Sequence, residues 1–269
     1  MQLASQTVFT LFGFPVTNTI ITTMAVNAVI IAVVFIVTRG ISLVPGKTQN
    51  AVEMCIEYFY NATEEIAGKR AEFIFPWVIT IFVFIALSNL MGLLPGIDTI
   101  RVHTATSGEG GIALFRGAMS DLNTTLALAV VSLAATHIYS VKYTGVGTYV
   151  NRFVPYKSIR YTLSAILMFF VFLFVGMIEV VSEFVKIISL SFRLFGNIFA
   201  GETVLSVVIS TFINFEPIKV LGISVSLKPL AYFVPSAIMM LEFLVAIIQA
   251  LVFAMLTMSF MATFTSTER

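Results

Sequence analysis

The chain is poor in the residues on which soluble enzymes and disulfide-stabilised domains depend. Only 11% of its 269 residues are charged, against roughly 25% in soluble domains. A single cysteine, Cys55, excludes an intramolecular disulfide framework and a thiolate metal cluster. The two histidines, His103 and His137, are too few and too far apart to indicate a metal site. We therefore expect neither a metal nor a cofactor.

Further absences exclude other classes of function. A net charge of +1 argues against nucleic acid as a partner. No phosphate-binding loop of the Gly-x-x-x-x-Gly-Lys-Ser/Thr type occurs, so ATP chemistry is not expected on this chain. Residues 1–17 contain no lysine or arginine, so the basic region of a secretory signal is missing.

Apolar residues dominate what remains. They make up 58% of the chain and include 26 phenylalanines and 12 methionines, which predicts an all-α integral membrane protein with a single membrane domain. A span needs about 20 apolar residues, and five segments are long enough to enter a bilayer. These predicted segments are 17–38, 73–94, 122–141, 161–213 and 233–263.

The distribution of lysine and arginine between these segments predicts the orientation. Segments 39–72 and 142–160 carry four basic residues each, whereas 95–121 and 214–232 carry two each, mixed with acidic residues. By the positive-inside rule the first two face the cytoplasm. Residues 1–16 and the other two loops then lie outside, and the carboxyl terminus lies in the cytoplasm.

Two segments depart from a simple spanning helix. Residues 50–68 alternate apolar and acidic residues at near-helical spacing, which predicts an amphipathic helix on the cytoplasmic surface or against a partner. Segment 161–213 would be about 80 Å long as a continuous helix, whereas the hydrocarbon layer is about 30 Å thick. It must be steeply tilted, bent or broken. With the last segment it predicts a long tilted helical hairpin, about 161–263.

Arg193 lies deep inside this long apolar segment. A charged arginine at mid-bilayer costs roughly 2.5–3.5 kcal/mol, so its presence indicates a function. At about 100° per residue, several polar side chains point within about 40° of Arg193, whereas Glu202 points to the opposite side. The group on the arginine side comprises Glu179, Ser182, Lys186, Ser189 and Asn197. In the last segment Glu242 and Gln249 share a helix face. Two partial polar pathways thus meet near one permanent positive charge, unless Arg193 simply forms a buried ion pair with Glu202 or Glu242.

Four sequence blocks carry a resemblance to a known family. The most specific is Ser-Phe-Arg-Leu-Phe-Gly-Asn-Ile-Phe-Ala-Gly-Glu at 191–202. The other three lie at 88–96, 120–128 and 248–253, and the four blocks occur along this chain in the same order as in that family. In these blocks the chain resembles subunit a of the rotary F-type ATP synthases, in its bacterial form. The resemblance covers most of the chain.

The resemblance implies a proton-translocating stator subunit of the membrane Fo sector. It implies that Arg193 faces a rotating ring of carboxylate-bearing c subunits and prevents protons from passing directly between two aqueous half-channels. The outer half-channel would contain Asn197, Glu202, Glu242, Gln249 and Asp121, and the inner one Glu179, Ser182 and Lys186. The implied partners are the c-ring, the peripheral-stalk b subunits, the rest of the F1Fo complex and membrane lipid. The chain would not be catalytic by itself.

Two positions depart from the family pattern. Many relatives carry one carboxylate and one histidine at the positions that match Glu202 and Glu242, whereas both are glutamate here. Two nearby carboxylates repel each other when both are charged, so we predict that they share a proton or a cation. The acidic residue at 202 also favours a bacterial plasma membrane over the mitochondrial inner membrane. Gln249 resembles the position that contacts the arginine across the hairpin.

Two other classes of function compete with this hypothesis. A secondary transporter would use Arg193 to bind an anionic substrate, but such proteins commonly contain internal repeats, and none is convincing here. An assembly scaffold without a conducting role would not need two polar pathways.

Overall fold

The computed structural model describes residues 5–42, 45–94, 96–97, 100–102, 111–153, 164–214, 218–220, 223–225 and 230–265. Helices dominate this part of the chain, and its strands form two-stranded antiparallel hairpins only. The elements are β1 (Thr7–Leu11), β2 (Phe14–Thr17), α1 (Asn18–Arg39), α2 (Lys47–Ala67), α3 (Ala71–Leu93), β3 (Arg101–Val102), β4 (Ile112–Ala113), α4 (Leu122–Thr144), α5 (Val146–Phe153), α6 (Ser164–Asn214), β5 (Ile218–Val220), β6 (Ile223–Val225) and α7 (Leu230–Thr265). Short 3₁₀ turns occupy Gly68–Arg70 and Ala118–Ser120.

Four helical stretches of the described chain are long and apolar enough to cross a membrane. They are Asn18–Arg39, Lys47–Leu93, Leu122–Thr144 and Phe233–Thr265, judged by length and composition. The second combines α2 and α3, which the 3₁₀ turn joins. The helices α1, α3, α4 and α7 begin and end within three residues of four predicted segments. The prediction of an all-α membrane protein is confirmed.

The fifth predicted segment is α6. It is one helix of 51 residues, about 75 Å long at 1.5 Å per residue. Of the three alternatives for this segment, a tilted, a bent or a broken helix, the structure therefore excludes the broken one. A helix of that length cannot stand along the membrane normal within about 30 Å of hydrocarbon. It packs against the 36-residue α7, and the two form the predicted helical hairpin.

The core of the protein is a bundle of α3, α4, α6 and α7. Ile85 of α3, Leu194 of α6 and Ala250 of α7 are fully buried within one apolar cluster, together with Phe253 and Met119. Contacts between α3 and α7, and between α6 and both α4 and α7, close the bundle. α1 packs against the outside of α3 and leaves most of its surface exposed.

Buried hydroxyl groups link the helices of the bundle to one another. Lipid is as apolar as leucine, so helix association in a membrane depends on close packing and on such interhelical bonds, each worth on average about 0.6 kcal/mol. The bonds join Ser132 to Thr257 (2.8 Å), Thr125 to Ser191 (3.1 Å) and Ser140 to the carbonyl oxygen of Phe264 (2.8 Å). All three begin on α4, which is thereby tied to both long helices.

The amphipathic helix predicted at 50–68 is α2. Its apolar side packs within the same chain, because Phe59 is buried against Ile74 and Val78 of α3 and Met258 of α7. Its other side, which includes Met54, is exposed. α2 therefore lies along the bundle and fixes the start of α3 beside the end of α7.

The structure adds elements that the sequence did not predict. The segment taken as an external amino terminus, 1–16, contains most of the hairpin β1–β2, and the loop predicted at 142–160 contains α5. α5 packs on α6, where the backbone carbonyl of Phe153 lies against Gly176. Residues 154–163 lie outside the described residues, and so do parts of the loops predicted at 95–121 and 214–232.

Candidate functional site

Arg193 lies on an exposed part of the surface of α6. Its side chain is exposed, as is its neighbour Phe192, whereas Leu190 and Leu194 are buried in the bundle. The Nη2 atom donates a hydrogen bond of 3.4 Å to Ser189 Oγ. Within the described chain Arg193 forms no ion pair, so the alternative of an intramolecular pair with Glu202 or Glu242 is not supported.

One turn after Arg193, a polar bond connects the two helices of the hairpin. Asn197 Nδ2 donates to Gln249 Oε1 at 2.8 Å, and Gln249 is only 5% exposed. The resemblance suggested that Gln249 contacts the arginine, but the structure brings it to Asn197. The same side of α6 contains Gly196, where an added Cβ would meet nothing within 4 Å. The surface beside Arg193 is therefore shallow and open.

The carboxylate of Glu202 lies on the other side of α6, against two glycines. A Cβ at Gly117 would lie 2.5 Å from Glu202 Oε1, and one at Gly92 would lie 3.8 Å from the same atom. Gly117 and Gly92 also touch each other, since a Cβ at Gly92 would lie 3.0 Å from Gly117 Cα. These two glycines leave the space that the carboxylate occupies, between α6, the end of α3 and the 3₁₀ turn before α4.

The carboxylate of Glu242 occupies a similar position against Gly201. A Cβ at Gly201 would overlap Glu242, with its Cδ only 2.6 Å away. Glu242 Oε1 is buried without a hydrogen-bond partner in the described chain. The absence of a side chain at Gly201 makes room for this carboxylate. Glu202 follows Gly201 directly, so both glutamates lie near the same turn of α6.

Asp121 is at the amino-terminal end of α4 and uses both of its carboxylate oxygens there. Oδ1 accepts a hydrogen bond from the backbone N–H of Asn123 at 3.0 Å, which caps the helix. Oδ2 accepts a bond of 3.1 Å from Thr19 Oγ1 at the start of α1. The same region contains Arg116, whose backbone N–H donates to Thr22 Oγ1 at 3.0 Å. Asp121 thus connects α4 to α1 at the Glu202 end of the bundle.

Two turns before Arg193 along α6, Lys186 belongs to a charged cluster between four helices. Its Nζ donates to Glu183 Oε1 at 2.7 Å, and Glu183 is only 8% exposed. His137 Nε2 of α4 lies 3.6 Å from the other oxygen of Glu183, and its Nδ1 lies 3.2 Å from the hydroxyl of Tyr149 in α5. The Lys186 ammonium also lies 4.9 Å from the centre of the Phe264 ring in α7. Glu179 and Ser182, one turn earlier, are half-buried.

Three of these positions were missed as site residues by sequence reasoning. Glu183 forms an i, i+3 ion pair with Lys186, and only the fold shows that it also meets His137. Ser88 and Asn89 of α3 are fully buried, and Ser88 Oγ and Asn89 Oδ1 lack hydrogen-bond partners in the described chain. Asn89 Nδ2 donates to the carbonyl oxygen of Ala246, one turn from Glu242, at 3.1 Å. Their signal was a Ser-Asn pair inside an otherwise apolar span.

The fold and site define a class: a polytopic α-helical membrane protein with a charged arginine on an exposed face of its longest helix and carboxylates at the neighbouring turns. The family model for the ATP synthase A chain matches residues 19–262. The chain belongs to this family.

Curated relatives agree along nearly the whole length. The chain is 29% identical over 257 residues to ATP synthase subunit a of Moorella thermoacetica, which covers 96% of this chain and 94% of the relative. It is 32% identical to the subunit a of Mesorhizobium japonicum, over 90% of this chain and 84% of the relative. It is also 32% identical to that of Geotalea daltonii, over 88% and 82%.

Proposed function

We propose that this chain is the stator subunit through which protons cross the Fo sector, with Arg193 as the charge that faces the rotating ring. Family membership makes it an Fo membrane subunit rather than the catalytic subunit of an ATP synthase. The observation that carries the finer proposal is the position of Arg193: a guanidinium on an exposed apolar helix face, without an ion pair in the described chain. Such a charge suits a partner that brings its own carboxylate.

The chemistry of arginine fits this task. A guanidinium remains protonated at any physiological pH, so it attracts a deprotonated ring carboxylate and favours its charged form. It cannot accept and pass on a proton, and it repels protons that approach from either side. A proton must therefore bind to the ring on one side of Arg193 and travel round with it. The open surface at Gly196 leaves space for a ring helix to approach.

We assign Asn197, Glu202, Glu242, Gln249 and Asp121 to the outer half-channel. Support comes from Glu202 and Glu242, which both lie near one turn of α6. The bond between Asn197 and Gln249 connects this group to the turn next to Arg193. Asp121 would act mainly as a positioning residue, because both of its oxygens bind groups of the protein.

We assign Glu179, Ser182 and Lys186 to the inner half-channel and add Glu183 and His137. The support is a row of polar groups that begins at Ser189, the partner of Arg193, and continues along α6 to Glu179. Glu183 holds the Lys186 ammonium at 2.7 Å. Its negative charge prevents Lys186 from presenting an uncompensated positive charge to a departing proton.

The same hypothesis sets orientation and partners. We propose that the amino terminus lies outside, that the carboxyl terminus lies in the cytoplasm, and that the membrane is a bacterial plasma membrane. The ring of c subunits would pack on the exposed face of α6, and b subunits and lipid would cover other exposed helix faces. Family membership favours this hypothesis over a secondary transporter, which would bind an anionic substrate without the rest of the complex.

Glu202 and Glu242 are proposed to share a proton or a cation. If they do, both carboxylates are needed to hold that proton or cation, and glutamine at either position removes one of them. Glu202→Gln and Glu242→Gln should therefore each reduce ATP-driven proton pumping strongly. The double variant should lose little more than the worse single variant, because coupled sites are not additive. Mild, equal and additive losses would contradict the coupling.

The primary test is ATP-driven proton pumping in inverted membrane vesicles that contain the whole complex. We expect Arg193→Ala and Arg193→Lys both to abolish pumping while the complex remains assembled. Lys186→Ala is a control on α6, because Lys186 points to the same side of the helix as Arg193. We expect this variant to retain part of the proton pumping. Pumping retained in Arg193→Ala would refute the stator mechanism.

A further inference from the structure

Between its turn and the register shift at Val8, the hairpin β1–β2 has one face made of apolar side chains. Its register pairs Leu11 with Phe14 and Phe9 with Val16, and directly opposed residues share a face, as do residues two apart along a strand. Phe9, Leu11 and Phe14 are 48%, 55% and 77% exposed, so nothing in the described chain covers them. By contrast Val8, on the other face, is 5% exposed.

The turn of this hairpin carries an aromatic residue in an unfavourable conformation. Phe12 and Gly13 connect the strands with φ angles of 50° and 84°, as in a type I′ turn. That turn prefers Asn-Gly or Asp-Gly, because a bulky side chain at positive φ is strained. Phe12 is nevertheless present and 95% exposed. A strained and exposed phenylalanine stabilises nothing within the chain, so it indicates a contact outside it.

The hairpin is fixed to the first residue of α1. The backbone N–H of Asn18 donates to the carbonyl oxygen of Gln6 at 3.0 Å, and the N–H of Gln6 lies 3.3 Å from Asn18 Oδ1. α1 is long and apolar enough to cross a membrane, and only 11% of its most apolar stretch is buried in the protein. The apolar face therefore lies where this span meets the membrane surface, next to a helix whose own surface is largely free to contact lipid.

The absence of charged residues indicates that lipid, rather than water, covers the apolar face of the hairpin. Residues 1–38 contain no Asp, Glu, Lys, Arg or His, and Arg39 is the first charged residue. The hairpin therefore enters an apolar phase without removing any charge from water. Its strand edges still carry backbone groups that need hydrogen bonds, which excludes the hydrocarbon centre. Apolar and aromatic side chains on a hydrogen-bonded element of this kind suit the boundary between headgroups and acyl chains.

We propose that the β1–β2 hairpin inserts Phe12 and its apolar face into this interfacial layer of the bilayer and anchors the amino-terminal end of α1. The occupant is phospholipid, and the anchor sets the depth and rotation of α1. This inference does not depend on the role of Arg193 or on the direction in which the chain crosses the membrane.

The test uses the whole complex in phospholipid nanodiscs, with Cys55→Ser and other accessible cysteines removed. An environment-sensitive fluorophore is attached to Leu11→Cys on the apolar face, or to Thr10→Cys, an exposed residue on the other face, as the matched control. We expect nitroxide lipid labelled close to the headgroup to quench the Leu11 probe more strongly than the Thr10 probe. Aqueous iodide should quench the two probes in the reverse order.

Phe12→Asn separates anchoring from folding, because asparagine fits this turn better than phenylalanine. We expect the hairpin to persist and the lipid quenching at Leu11→Cys to fall. Three outcomes would overturn the proposal: strong iodide quenching at Leu11→Cys, protection from both quenchers, which would place another subunit on this face, or lipid quenching that Phe12→Asn leaves unchanged.

Discussion

Gly201→Ala is the substitution that most directly tests whether the position of the Glu242 carboxylate matters. An alanine Cβ would lie 2.6 Å from Glu242 Cδ. Non-bonded carbon atoms rest at about 3.5 Å or more, so the carboxyl carbon would have to move by about 1 Å. The atoms that must move are the far end of a flexible side chain, and Glu242 Oε1 has no hydrogen bond in the described chain to hold it in place. The substitution therefore displaces the carboxylate without disturbing the helices.

Stability and function should consequently separate. Replacing a glycine with alanine inside a helix favours the helix by up to about 1 kcal/mol, which offsets the cost of moving one side chain. A displacement of about 1 Å at a reacting group can reduce a rate on the order of a hundredfold. We expect Gly201→Ala to leave the complex assembled and to reduce proton pumping by roughly ten- to a hundredfold.

A second substitution provides the control. Glu242→Asp shortens the side chain by one carbon–carbon bond, about 1.5 Å. This is more than the distance of about 1 Å by which the carboxyl carbon must move away from the new Cβ. We expect Gly201→Ala combined with Glu242→Asp to pump better than Gly201→Ala alone. The assay is ATP-driven acidification of inverted vesicles, normalised to the amount of assembled complex. Wild-type pumping in Gly201→Ala, or a double variant that pumps less than either single variant, would refute the reasoning.

Two further predictions concern other contacts. Asn197→Ala and Gln249→Ala each leave the other residue without its 2.8 Å bond, so the double variant should lose no more pumping than the worse single variant; additive losses would indicate independent roles. Phe59→Ala should destabilise the fully packed α2 by about 3–5 kcal/mol, measured as a lower unfolding temperature of the purified complex. Met54→Ala, on the exposed side of α2, should stay within about 0.5 kcal/mol, and equal losses would mean that α2 does not pack as described.

Sequence alone determined the class of the fold, because an apolar segment of about 20 residues can adopt few stable structures other than a membrane-spanning helix. The predicted ends of α1, α3, α4 and α7 differ from the observed ends by three residues or fewer. The sequence also identified Arg193 as a candidate functional residue. A permanent charge inside an apolar segment costs free energy in the membrane, whatever the packing of the helices around it. Helical geometry also separated the directions of Arg193 and Glu202 before any contact was known.

Tertiary structure decided which groups meet. Gly201 faces Glu242, and Gly117 faces Glu202, because α6 packs against helices that are distant in sequence. The contact of His137 with Glu183 and the bond from Asn89 to α7 likewise join helices that are distant in sequence. Sequence periodicity describes one helix at a time, whereas these contacts depend on the rotation and offset between helices. Those quantities are set by the packing of the whole bundle, and no single segment encodes them.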